Sequence, residues 1–212
     1  MKTLLTLLLI AILSIFGLAA YTYVRASTVS DVYKNYTGIP IDLRQTPDDG
    51  DRSIWFCAKP GFPGHAFILL TDLDSESGKR NALTLGIYPD TDKKNQFLSS
   101  SMVVTDESTR PEGLTFTGKE PTLIVKVSKH DYERIQSMLP KTGKQLGIHY
   151  ALVTNDCLGL AIDVAKSLEK SGLKVPERAL FLNFPSPYIE ELIRVNTLTN
   201  QSAHTTPASA PR

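Results

Sequence analysis

The stretch that decides the fold runs from residue 155 to residue 171 and reads NDCLGLAIDVAKSLEKS. Its apolar side chains recur at helical spacing and form one stripe, made of Cys157, Leu160, Ala161, Val164, Ala165 and Leu168. Asn155 can cap the start of such a helix, and Gly172 can end it. The pattern therefore predicts an amphipathic helix that carries Cys157 in its first turn, on the face that meets the rest of the domain.

The residues before this helix read mostly as strands. Apolar and β-branched runs cover residues 53–59, 65–71, 82–88, 101–105 and 122–127, with the turn signal PGFPG at 60–64 between the first two. A shorter helix begins at Ser128 and ends before Pro140, residues 147–153 are strand or extended chain, and a last helix covers 188–195. Strands grouped before a late helix predict an α+β domain, in which a central antiparallel sheet packs against the helix that carries Cys157.

The two ends of the chain differ from the middle. Residues 4–24 are apolar apart from three hydroxyl residues and are about long enough to span a bilayer. Val24 and Ala26 fit the small positions before a cleavage site, so residues 1–26 are either a signal peptide or an N-terminal membrane anchor. Both interpretations predict an exported domain, periplasmic or secreted, or held outside the membrane by its anchor. Residues 196–212 hold no acidic residue and predict a disordered tail, which leaves 30–195 as the folded domain.

Composition and charge exclude several classes of protein. The formal net charge is only +1, so we expect no nucleic-acid partner, because such proteins carry a basic excess. Two cysteines are too few for a disulfide scaffold or a four-cysteine zinc site. The chain has no glycine-rich phosphate loop, no Gly-x-Ser-x-Gly turn and no His-Glu-x-x-His helix. The sequence therefore predicts neither a cofactor nor a metal.

Cys157 is the candidate nucleophile. Thiols in the first turn of a helix ionise more readily, because the N–H groups and the helix dipole favour the thiolate. The same position in an apolar stripe also suits an inert core cysteine, so both interpretations stay open. Of the four histidines, His65 is the best candidate for a base, because it opens the most apolar strand directly after a turn. A core histidine bonded to a backbone carbonyl is the alternative for that position.

Two motifs give the chain a family resemblance. PGHAFI at residues 63–68 precedes NDC at residues 155–157, where a helix is predicted to start. This order, with the histidine strand first and the cysteine helix last, resembles the circularly permuted branch of the NlpC-type papain-like superfamily. Lecithin:retinol acyltransferase, related lipid acyltransferases and several bacterial hydrolases belong to that branch. The resemblance covers residues 53–176 and includes GLKVP at residues 172–176.

The resemblance implies a catalytic pair with Cys157 as nucleophile and His65 as base. Cys157 would attack an acyl carbon and form a thioester, and its own backbone N–H would help to hold the oxyanion. Asn155 and Tyr150 are candidate supporting residues. The family's third residue orients the histidine from the next strand, but residues 82–88 contain no His, Asn or Gln. In a hairpin register Tyr88 falls opposite His65, which makes it the candidate orienting residue.

The function implied is that of an exported cysteine hydrolase, a thiol protease or amidase of the papain-like kind. Peptides of the cell wall are the first expected substrate, because an exported member of this superfamily would meet them. The alternative is a lipid acyl hydrolase or acyltransferase, whose acyl-lipid substrate suits a protein held at a membrane through residues 4–24. A third interpretation is a non-catalytic secreted domain closed by a disulfide between Cys57 and Cys157, since exported cysteines often pair.

Overall fold

The computed structural model describes residues 2–27, 40–46, 50–61, 64–73, 78, 80–89, 98–99, 102–106, 120–141, 145–146, 150–151, 156–179 and 184–203. Within these ranges the helices are α1 (Lys2–Ser27), α2 (Lys129–Met138), α3 (Cys157–Ser167) and α4 (Pro185–Ala203), and a short 3-10 helix (Glu169–Ser171) follows α3. The strands are β1 (Ile41–Asp42), β2 (Arg52–Lys59), β3 (His65–Leu73), β4 (Arg80–Pro89), β5 (Leu98–Ser99), β6 (Met102–Asp106), β7 (Thr122–Lys126), β8 (Gln145–Leu146) and β9 (Tyr150–Ala151).

One sheet dominates the fold, which is α+β as predicted. Its strand order is β1-β7-β2-β3-β4-β6-β8, while β5 and β9 form a separate pair. The predicted all-antiparallel sheet is wrong at one edge, because β1 runs parallel to β7. β1 has two residues, which is too short for an alternating pattern to show in the sequence. The five longer strands lie at the places that their apolar runs predicted, within one or two residues at each end.

A tight hairpin fixes where β3 begins. β2 and β3 pair in antiparallel register from Arg52 opposite Asp72 to Lys59 opposite His65. The connecting turn contains Gly64 with a φ of 79°. A Cβ atom at Gly64 would lie 3.1 Å from each of two backbone carbonyl oxygens, so the turn depends on a glycine there. The turn therefore makes His65 the first residue of the strand.

The sheet buries both faces along β3. Ala66, Ile68 and Leu70 belong to the core formed with the helices, and α3 packs against β3 and β4 on that face. Strand alternation sends His65, Phe67 and Leu69 to the opposite face, where Phe67 is 1% exposed and Leu69 7%. The most apolar strand of the sequence is thus covered on both sides.

The helix that carries Cys157 is confirmed, with one correction at its start. Every member of the predicted apolar stripe is buried. The α-helix ends at Ser167, four residues earlier than predicted, and the 3-10 helix continues to Ser171, where Gly172 ends it in the left-handed region at a φ of 106°. Its N-cap is Asp156, whose side chain accepts a hydrogen bond from the Gly159 N–H. Asn155 lies outside the described residues. Asn and Asp cap helices about equally well, so residue type could not choose between these two neighbours.

The last helix is longer than predicted. α4 begins at Pro185 and continues to Ala203, so the predicted helix 188–195 is too short at both ends. The predicted start of a tail at residue 196 falls inside α4, where Asn196 is 6% exposed. Residues 204–212, the rest of the predicted tail, lie outside the described residues. The sequence after residue 196 is polar and therefore did not predict this helix, whose first part is held by packing.

α1 is the other long apolar element. The segment Leu4–Tyr21 is apolar and long enough to cross a membrane, and none of its residues is buried against the rest of the protein. A signal sequence near an N-terminus has the same properties. The structure is therefore compatible with both interpretations of residues 1–26.

Candidate active site at the start of α3

The thiol of Cys157 lies at the end of the sheet where β3 and β4 separate. Cys157 is the first residue of α3 and is 3% exposed. Its Sγ accepts a hydrogen bond from the backbone N–H of Ala66 at 3.4 Å. The pairing of β3 with β4 stops one residue later, at Phe67 opposite Gly86. The thiol therefore takes the place of β4 as the hydrogen-bond acceptor for the Ala66 N–H.

The direction of that amide follows from the hairpin. Ala58, the partner of Ala66 on β2, donates its own N–H away from β3, to the carbonyl of Pro121 at 3.2 Å. In an antiparallel ladder, Ala58 and Ala66 are therefore a pair that exchanges no hydrogen bonds with each other. The Ala66 N–H then points toward β4. Cys157 Sγ thus lies at the end of β3, on the side of β4.

His65 lies one residue before this amide, but its ring faces the other way. The imidazole stacks on Tyr88, with ring centroids 4.2 Å apart and an angle of 27° between the planes. It also lies 6.1 Å from the ring of Phe67, on the face opposite to Ala66. The structure therefore brings the backbones of the two predicted catalytic residues to one strand end. The imidazole and the thiol occupy different sides of that strand.

Tyr88 is placed as the sequence register predicted. It lies on β4, where its ring contacts that of His65, and it pairs with Val103 on the next strand. Thr84, further along β4, pairs with Leu69 and is 2% exposed. Tyr88 is thus the β4 side chain beside the predicted base.

The remaining supporting residue is not brought to this place by any described contact. Tyr150 lies in β9, which pairs with β5 outside the main sheet, through Ser99. Of the other histidines, His130 is exposed in the first turn of α2. His149 and His204 lie outside the described residues.

An ion pair that no sequence pattern indicates holds the start of α3. Arg178 Nη2 lies 2.6 Å from Asp156 Oδ2, and the Asp156 side chain is only 2% exposed. The other oxygen of Asp156, Oδ1, accepts the hydrogen bond from Gly159 N at 3.2 Å. Arg178 follows α3 in an irregular segment, so neither helical nor strand spacing connects it with Asp156. Only the segment's path in space brings the two together.

Cys57 lies on the other face of the sheet from Cys157. Its neighbours Phe56 and Ala58 belong to the core shared with α3, so alternation turns Cys57 toward the face of His65 and Phe67. Its side chain is 0% exposed, and burial raises the pKa of the Cys57 thiol, while a hydrogen bond with Thr122 acts to lower it. Both cysteines are free thiols. The alternative of a Cys57–Cys157 disulfide is therefore wrong for this structure, because the sheet stands between the two thiols.

A cavity of about 650 Å³ lies away from this site, near the start of α2 and the far end of α3. It is lined in part by Ser128, His130, Arg134 and Lys170. In the part of the chain that the structure describes, no three His, Cys, Asp or Glu side chains group as metal ligands would. Of the two places, only the end of the sheet combines a thiol with an adjacent histidine.

No family model matches the chain, and no curated protein or solved structure does either.

Proposed function

We propose that the protein is a thiol hydrolase that cleaves an amide bond through a thioester on Cys157, with His65 as the base. One observation carries the proposal. The Cys157 thiol lies at the first residue of α3 and accepts a hydrogen bond from the backbone N–H of Ala66, the residue after His65. It contacts a strand end that carries the best candidate for a base in the chain.

The surroundings of Sγ support a nucleophile over an inert core cysteine. A thiolate gains from the N–H groups and dipole at a helix start, and a hydrogen bond from a backbone amide becomes stronger when the acceptor is charged. Ala66 supplies such an amide at 3.4 Å. Cys57 supplies the contrast within the same chain, because it is buried mid-strand and burial raises its thiol pKa. Cys57 is thus of the inert type, and the proposal assigns the reaction to Cys157.

The reaction would run in two halves. His65 takes the thiol proton, Sγ attacks the amide carbon, and the C–N bond breaks as the amine leaves with that proton. Water then attacks the thioester, and the acid product leaves as Sγ regains a proton. The Cys157 N–H, which has no partner within a helix at this position, would face the oxyanion.

Two local movements belong to this proposal. The first residue of β3 has to move together with its side chain, so that the His65 ring leaves the Tyr88 stack and comes within about 3 Å of Sγ. The thiol, at 3% exposed, has to open to substrate. In this proposal the observed arrangement is a closed resting state, in which the imidazole stacks on Tyr88 away from the thiol.

The first substrate class we propose is the peptide amide of the cell wall, which an exported hydrolase would meet. A second candidate, hydrolysis or transfer of acyl groups from lipids, is favoured by α1. The segment Leu4–Tyr21 of this helix is apolar enough and long enough to cross a membrane and has no buried member. If it remains in a membrane, it would hold the domain beside lipid.

The experiment compares full-length wild-type protein with Cys157→Ser, His65→Asn and Cys57→Ser. Each is assayed on cell-wall peptides and, separately, on phospholipid vesicles, with released amines and fatty acids as readouts. We expect loss of at least a hundredfold for the first two variants and nearly full activity for Cys57→Ser. Intact-mass trapping of an acyl adduct on Cys157 identifies the thioester. Equal turnover by wild type and Cys157→Ser would overturn the proposal, and the substrate that turns over decides between peptide and lipid.

A further inference from the structure

The segment after α3 returns to the beginning of that helix. Residues 173–178, which we call the strap, follow Gly172 and have no regular secondary structure. From Cys157 to Ser171 the helical stretch rises by about 22 Å, and six extended residues cover about 20 Å. The strap is therefore long enough to bring Arg178 back beside Asp156, where it is found.

The strap is tied to α4 along its length. Asn196 accepts a hydrogen bond from the Lys174 N–H at 2.9 Å and donates one to the Lys174 carbonyl at 2.7 Å. The Tyr188 hydroxyl donates to the carbonyl of Pro176 at 2.9 Å. These contacts hold the strap backbone against α4 up to two residues before Arg178.

Arg178 meets a carboxylate that the start of α3 needs for another reason. Asp156 caps the helix, and its side chain is 2% exposed, next in sequence to the proposed nucleophile. A buried negative charge at that place disfavours a second negative charge on Cys157. Arg178, whose side chain is 18% exposed, cancels it at a separation of 2.6 Å.

We propose that Arg178 is a positioning residue for the nucleophile. It neutralises Asp156, so that this residue can cap α3 without its charge opposing the thiolate of Cys157. The inference rests on the proposed function, because it assigns Arg178 to the same site. It adds a charge balance that neither the helix nor the Cys157–His65 pair supplies.

The test measures the rate of Cys157 alkylation by iodoacetamide against pH, read by mass spectrometry on the full-length protein. Arg178→Met leaves the Asp156 charge in place and should raise the pH of half-maximal rate by about one unit, the effect of one charge within a turn of the thiol. Asp156→Asn keeps a capping residue and leaves the Arg178 charge, so it should lower that pH by a similar amount. The double variant should return close to wild type.

Opposite shifts from the two single variants are the signature of charge, since a purely structural role would move both in the same direction. The matched control is Arg134→Met, which breaks a similar pair with Asp131 at the start of α2. Arg134 also donates to the carbonyl of Ser167, at the far end of α3 and about 15 Å along the helix from Cys157. Its charge is screened at that distance, so the profile should not move.

The titratable groups on β3 and β4 at this end of the sheet, His65 and Tyr88, are present in every variant. Thermal unfolding first establishes which variants are folded. If Arg178→Met is not, Arg178→Lys, which should keep the wild-type profile, and the double variant take its place beside Asp156→Asn. Shifts of the same sign in Arg178→Met and Asp156→Asn, or a shift in Arg178→Lys equal to that in Arg178→Met, would overturn the inference. Correct shifts without turnover of any substrate would instead refute the proposed function alone.

Discussion

Asn196 provides the sharpest test of the fold, because its role in the structure contradicts its expected place in a tail. Its amide group makes three hydrogen bonds, two with the backbone of Lys174 and one to the carbonyl of Leu192 at 2.8 Å. Asn196→Ala removes all three. Each is worth about 0.5–1.5 kcal/mol, and water can replace part of those at the exposed Lys174. Alanine returns about half a kcal/mol as a better helix former.

We therefore expect Asn196→Ala to lower the free energy of unfolding by about 2 kcal/mol, with a fall in Tm of about 4–8 °C. Urea unfolding followed by fluorescence reports this directly, because Trp55 is the single tryptophan and lies in β2. The control is Thr197→Ala at the next position, whose hydroxyl bonds only to its own helix at Ile193. It should stay within about 0.5 kcal/mol of wild type. Equal stability of the two variants would refute this reasoning and would favour the predicted disordered tail from residue 196.

Three further predictions concern other parts of the molecule. Burial raises the pKa of the Cys57 thiol, so iodoacetamide at pH 8 should label Cys57 only after unfolding, and rapid labelling of native protein would contradict its position. Gly64→Ala should lower the free energy of unfolding by about 1–3 kcal/mol in urea titrations, because it adds backbone strain and two 3.1 Å contacts. Gly78→Ala, with a similar φ and no atom within 4 Å, should lose only about 1 kcal/mol, and equal losses would show that the contacts do not matter. Burial acts to raise the pKa of Asp131, but hydrogen bonds from Arg134 and others hold it below its usual value. The stability that results is present at neutral pH and is lost as the pH falls below about 4. Asp131→Asn should therefore flatten that part of an acid-unfolding curve, and an unchanged curve would refute its contribution.

The long elements of the fold could be predicted because each leaves a pattern long enough to read. The hairpin of β2 and β3 combines two apolar runs with a Pro-Gly turn, and α3 repeats its apolar spacing over three turns. β1 and β8 have two residues each and leave no such pattern, although they decide that the sheet is mixed and where it ends. Their positions depend on the finished edges of β7 and β6.

Which face of the sheet a residue occupies was harder to predict than which strand it belongs to. β2 carries apolar residues on both of its faces. The sequence therefore does not show whether Phe56 or Cys57 faces the helices. The two cysteines could therefore be imagined as partners until the face covered by α3 was known. The hairpin register puts Cys57 on the same face as His65.

The same register determines on which side of β3 the proposed base lies relative to the proposed nucleophile. If Tyr88 falls opposite His65, both side chains share one face, and Ala66, one residue on, must share the other with Cys157. A nucleophile held by the amide of Ala66 is then separated from the base by the strand itself, and the two can meet only around its end. The pairing of β3 with β4 stops at Phe67, one residue after Ala66. The Ala66 N–H therefore binds the thiol in place of a β4 carbonyl, and the proposed reaction requires the imidazole to reach the thiol past this strand end.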